Sequence, residues 1–141
     1  MITPVQNGYI TSDFDAHVAR GVKGSFGYDI GSKEQPTTIY APFGGRVVSS
    51  NDSATFGNRV WVKITDKCKY EGQYFVCAHM KSIDENIEDG IYINAGSKLG
   101  IMGTTGMSQA IHLHFEIRTS PGINGVSIRC DEILQILPYK K

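Results

Sequence analysis

His112-Leu113-His114 lies in a run of strand-type residues ending at Ile117. Successive side chains of a strand alternate faces, so the two imidazoles share one face, their roots roughly 6–7 Å apart at about 3.3 Å rise per residue. That suits a metal site in which one ring binds the ion while its neighbour stays free for proton transfer. The competing structural reading is a pair of half-buried histidines on a polar sheet face. A further histidine, His79, closes the alternating run Gln73 to His79, and His17 is the only other in the chain.

These residues need a scaffold of strands. Sixteen glycines and strand-type runs separated by turn signals predict an all-β domain, a compact antiparallel sheet with an open groove, spanning residues 1–141 as one unit. Gly8 to Phe14 reads as a first strand, and Asp15 to Gly27 as a glycine-containing loop. Arg46 to Ser49 forms a strand leading to a polar tip, Ser50 to Phe56. Asn58 to Thr65 and Gln73 to His79 alternate strongly and pair as a hairpin through the turn Lys67 to Gly72, which delivers His79 to the end of its strand. Asp84 to Gly90 is a solvated acidic loop. One helix is expected, short and C-terminal, Asp131 to Leu137, stopped by Pro138.

Composition removes several classes of function. Lysine plus arginine and aspartate plus glutamate both number 14, so the formal net charge is zero, without a basic footprint for nucleic acid or an anionic membrane. No apolar run approaches the ~20 residues that span a bilayer, and Met1 to Asn7 has no signal-peptide pattern. A phage particle or export within a larger assembly is therefore the expected route to any substrate outside the cell. Cys68, Cys77 and Cys130 are an odd set at wide spacing, which predicts at most one bond and favours reduced thiols.

Several segments line up in one order: Ile10-Thr11-Ser12-Asp13-Phe14, Phe26-Gly27-Tyr28-Asp29-Ile30-Gly31, Ala41 to Val48, Gly57-Asn58-Arg59-Val60, Ala78-His79-Met80, Gly96 to Gly100, and Met102-Gly103-Thr104-Thr105-Gly106-Met107-Ser108 leading into His112-Leu113-His114-Phe115-Glu116-Ile117. This pattern resembles the lysostaphin/LytM-type zinc peptidoglycan endopeptidases, over about Tyr9 to Arg118. The resemblance implies that Asp29 and His114 are zinc ligands, that His79 and His112 are non-ligand histidines beside the metal-bound water, and that the substrate is a peptidoglycan peptide. It also admits other virion or cell-envelope proteins as partners.

One position departs from the family. Its first ligand, a histidine four residues before the aspartate, is replaced here by Ser25, whose neutral hydroxyl is a poor zinc donor. Two readings stay open. Either the site is degenerate and the fold serves as a wall-peptide-binding or assembly module, or His17 supplies the missing ligand. His17 stands 12 residues before Asp29, and 12 residues span up to roughly 40 Å when extended, so reach is no obstacle. A carrier barrel of the biotinyl/lipoyl type is a third reading, on Ala41 to Val47 and a candidate attachment lysine, Lys81.

Overall fold

A computed structural model of the chain describes residues 1–21, 24–108, 110–122 and 124–141. Val22 and Lys23, in the segment expected as a loop, and Gln109, in the motif block, lie outside the described residues.

The elements in chain order are β1 (Tyr9–Ser12), α1 (Phe14–Arg20), β2 (Tyr28–Gly31), β3 (Thr38–Tyr40), β4 (Gly45–Ser53), β5 (Gly57–Ile64), β6 (Tyr74–Ile83), β7 (Tyr92–Ile93), β8 (Lys98–Met102), β9 (Leu113–Arg118), β10 (Ser127–Ile128) and α2 (Ile133–Ile136). The sheet runs β1-β2-β9-β6-β5-β4-β7, with β10 on β9, β8 on β6 and β3 on β8. Every pairing between these strands is antiparallel, as the alternating runs predict. Among the described residues no helix is long and apolar enough to cross a membrane.

β9 sits between β2 and β6, and all six of its residues are buried. Leu113, Phe115 and Ile117 enter the hydrophobic core with Ile30, Val60, Val62 and Phe75. The alternate positions, His114, Glu116 and Arg118, are buried as well and form a polar row. Register places Asp29 of β2 and Ala78 of β6 directly across from His114. Gly27 sits so close to β9 that an added Cβ would lie 2.3 Å from the Phe115 carbonyl oxygen, and glycine alone permits this approach.

Four local expectations are corrected. Asp15 to Gly27 is not loop throughout, because α1 occupies Phe14–Arg20. Asp13 caps it, accepting the Ala16 N–H at 2.9 Å, and Gly21 closes it in the left-handed region at φ 68°. The expected polar tip is shorter, since β4 continues to Ser53. His79 is not at a strand end, for β6 continues to Ile83. Between Cys77 and Met80 the strand carries one residue more than its partner β5, a bulge at which β6 exchanges its pairing with β9 for pairing with β8. The C-terminal helix is a single turn, Ile133–Ile136. All three cysteines are free, Cys68 exposed and the other two buried.

Candidate metal centre

The geometry begins with Asp29. Its Oδ1 lies 2.8 Å from His114 Nδ1 and 3.5 Å from His112 Nε2, while Oδ2 lies 3.3 Å from His17 Nε2 and 3.8 Å from the Arg20 guanidinium. His17, Asp29 and His114 each offer one donor atom, and these atoms all lie within 4.8 Å of one another. The set fits a zinc ion in chemistry and number, because two imidazoles and a carboxylate are three protein donors of the kind catalytic zinc takes, with a coordination position left over.

His17 arrives from α1. A seven-residue helix is too short to be stable by itself, so packing must hold it. Phe14 supplies that packing, with ring centroids 5.8 Å from Phe26 and 6.3 Å from Tyr28. One turn on, His17 is 3% exposed. Its Nδ1 lies 2.8 Å from the Asp13 carbonyl oxygen. A carbonyl only accepts, so Nδ1 carries a hydrogen and Nε2 is the nitrogen that faces Asp29.

His114 is fixed from both sides. Nδ1 meets Asp29 and Nε2 lies 2.7 Å from Glu116 Oε2. Glu116 is fully buried, and its other oxygen accepts from Arg118 Nη1 at 3.0 Å and Ser127 Oγ at 2.8 Å. Without a metal, burial disfavours the His114 cation, yet the hydrogen bonds to Asp29 and Glu116 outweigh it and lift the pKa to about 9. Burial likewise acts to raise the Asp29 carboxyl, but His112, His114 and His17 hold it far below the usual carboxylate range.

His79 and His112 stand at the other side of Asp29, their ring centroids 5.1 Å apart. The Nδ1–H of His79 donates to the Thr105 carbonyl at 2.7 Å, and that of His112 to the Ala110 carbonyl at 2.8 Å, so Nε2 of His79 faces the cleft side of the ring and Nε2 of His112 faces Asp29. Burial pushes the pKa of His79 down; in His112 burial is outweighed by the Asp29 hydrogen bond, and the net shift is upward. His79 has a φ of 61°, a left-handed backbone that non-glycine residues rarely adopt and that functional sites tolerate. Gly57 and Gly106 make room for this corner, since a Cβ on either would come within 2.3 Å of the facing loop.

All five histidine and aspartate positions expected from the sequence thus converge on one cleft of about 500 Å³, which Arg20, Ser25, Phe56, Met107 and Ser108 also line. Ser25 lies at its wall and His17 among the donors. Glu116, Arg118 and Thr105 were missed as orienting groups. The alternation His114, Glu116, Arg118 beside the apolar Leu113, Phe115, Ile117 was the signal for the first two. Cys77 is not a candidate nucleophile, because complete burial pushes its thiol well above the ordinary range.

Comparison with known proteins places this arrangement. A family model, Peptidase family M23, matches residues 23–129. The cell division protein DipM of Caulobacter vibrioides is 33% identical over 127 residues, covering 84% of this chain and 19% of DipM; the chain thus spans less than a quarter of that relative. The catalytic domain of the prophage-encoded M23 protein EnpA from Enterococcus faecalis, solved as a mutant, is 26% identical with a TM-score of 0.67, covering 92% of this chain and 91% of that one. The catalytic domain of the antimicrobial peptidase lysostaphin from Staphylococcus simulans shares the fold at 24% identity and a TM-score of 0.67, covering 93% and 91%.

Proposed function

Because the chain belongs to peptidase family M23, we propose that residues 1–141 act as one zinc-dependent endopeptidase unit that hydrolyses peptide bonds of peptidoglycan, with His17, Asp29 and His114 as the protein ligands. The observation that carries this reading is the entry of His17 Nε2 into the Asp29–His114 donor set. It offsets the loss of the donor at Ser25, the position where lysostaphin/LytM-type enzymes have their first histidine.

Zinc bound there supplies a Lewis acid that polarises an amide carbonyl and lowers the pKa of bound water. The chain's own groups do the rest. Glu116 holds the Nε2–H of His114 and so keeps Nδ1 pointed at the centre. The Asp13 carbonyl does the same for His17 through the opposite ring nitrogen. His79 and His112 each keep a hydrogen on Nδ1 and take or return a proton at Nε2. Phe56, Met107 and the loop bearing Ser108 wall the cleft.

Metal analysis of the purified chain and of two variants tests the reading. The expected result is one zinc per chain, lost in His17→Ala and regained in the double variant His17→Ala/Ser25→His, with turbidity loss of a cell-wall suspension following the metal. A second reading, a non-catalytic wall-peptide-binding or assembly module, is favoured by Ser25. It prevails if the parent holds no zinc and only the single change Ser25→His creates a zinc site.

A further inference from the structure

Beside the metal cleft lies a second cavity of about 410 Å³, lined by Gly24, Ser25, Phe56, Arg59, Trp61 and Arg118 among others. Ser25 and Phe56 line both spaces. We propose that this cavity is a carboxylate-binding subsite for the peptide and that Arg59 is the residue that reads the carboxylate. The proposal deepens the peptidase reading and rests on it, since it assigns the substrate class of the same cleft.

Two cations face this cavity, and they differ in what already engages them. Both Nη groups of Arg118 are engaged: Nη1 donates to Glu116, to Ser127 and to the Gly24 carbonyl, and Nη2 to the carbonyls of Gly122 and Gly125. It holds the walls together, and neither of its Nη groups is left for a ligand. Arg59 is the reverse. Among the described residues its side-chain hydrogen bond is from Nε to Asn51 Oδ1 at 3.1 Å, and no carboxylate lies within ion-pair distance of it. Its two Nη groups therefore have no protein acceptor there. The side chain is nevertheless half-buried, and its guanidinium stands 6.0 Å from the centre of the Phe56 ring.

A guanidinium held on an aromatic face, partly withdrawn from water and lacking an anion, is prepared for a planar bidentate acceptor. A carboxylate has that shape, and peptides carry it on acidic side chains and at their ends. The apolar part of such a residue has a surface to lie on, because Phe56 and Trp61 stand with ring centroids 6.3 Å apart. Position links this subsite to the chemistry. Phe56 is 5.8 Å from the His114 ring and its ring centre 6.0 Å from the Arg59 guanidinium, so an extended peptide, at about 3.4 Å per residue, reaches Arg59 within about three or four residues of a bond held at the metal centre.

The test compares two probes by calorimetry on the zinc-loaded chain: the stem tetrapeptide L-alanyl-γ-D-glutamyl-meso-diaminopimelyl-D-alanine as the free acid, and the same peptide with its carboxyls amidated. The free acid is expected to bind about tenfold tighter, the scale of one charge-assisted hydrogen bond net of desolvation. Arg59→Gln should remove that preference while leaving the amidated peptide's affinity, the zinc content and the thermal midpoint unchanged; Arg59→Lys should keep part of it. Equal binding of the two probes, no binding of either at millimolar concentration, or a preference that survives Arg59→Gln each overturns the proposal, the last by assigning the carboxylate to the metal. Repeating the titration on the metal-free chain separates the two readings. A preference for the free acid in a chain that neither holds zinc nor lyses walls keeps the subsite and removes the peptidase, whereas lysis with no preference does the reverse.

Discussion

β9 and α1 each bring one imidazole to Asp29, and they hold it by opposite means. His114 sits in the middle of a sheet, hydrogen-bonded on both ring nitrogens, with a fully buried Glu116 and a buried Arg118 behind it. His17 rides on seven residues attached by one aromatic ring, a capping aspartate, a glycine stop and the exposed contacts Asp15–Arg129 and Arg20–Ser12. A metal centre that draws on both has one donor set by the fold and another set by a removable prop. Under the proposed ligand set, the donor absent at Ser25 is supplied from a peripheral element pinned by a few local contacts.

The comparison is broken most severely from the β9 side. Glu116→Ala leaves Arg118 buried without its carboxylate and frees His114 Nε2, so unfolding stability should fall by roughly 3–5 kcal/mol, read from the urea midpoint. An unchanged midpoint would show that β9 does not depend on this pair. Removing metal should act next. In a chain with zinc at 100 times its dissociation constant, chelation should lower stability by about 2.7 kcal/mol, and amide exchange should rise in α1 before β9.

Smaller perturbations sharpen the contrast from the α1 side. Phe14→Ala should cost roughly 2 kcal/mol, less than a fully enclosed phenylalanine because the ring lies at the sheet margin; zinc affinity should drop with it while β9 keeps its exchange protection. Asp13→Ala removes the cap and the acceptor of the Tyr139 hydroxyl and should cost about 1 kcal/mol, felt in α1 and at Tyr139 but not in β9. The least effect is a pH dependence. The Ala16 N–H and then the Tyr139 hydroxyl hold Asp13 below its usual value, so its contribution is present above the unfolded carboxylate range and is lost as pH falls through the lowered value. Asp13→Asn keeps a capping oxygen without a titrating group. In metal-free protein, α1 of that variant should retain its exchange protection at acid pH where the parent loses it; identical acid profiles would remove Asp13 from the account.

The strand skeleton was legible because its signals are local. Alternation in Asn58 to Thr65 and Gln73 to His79 marked β5 and β6, and His112-Leu113-His114 marked the groove side of β9. The helix was hidden by its neighbourhood of glycines, although Asp13, Phe14, His17 and Gly21 spell cap, buried pair and stop at helical spacing. The bulge at His79 was not legible, since an extra residue in a strand shows only against the register of its partners.

By itself, the sequence determined which residues have the chemistry: Asp29, His79, His112, His114 and, as a candidate, His17, on a sheet whose alternation dictates what is buried. Tertiary structure alone decided that His17 stands at the donor set while Ser25 lines the cleft, and that Glu116 and Arg118 lock His114. The reason is range. Side-chain alternation follows from the backbone within a few residues, whereas the aim of α1 depends on Phe14 docking against Phe26 and Tyr28, and the locking of His114 on a buried row closed by Ser127 and the loops around it.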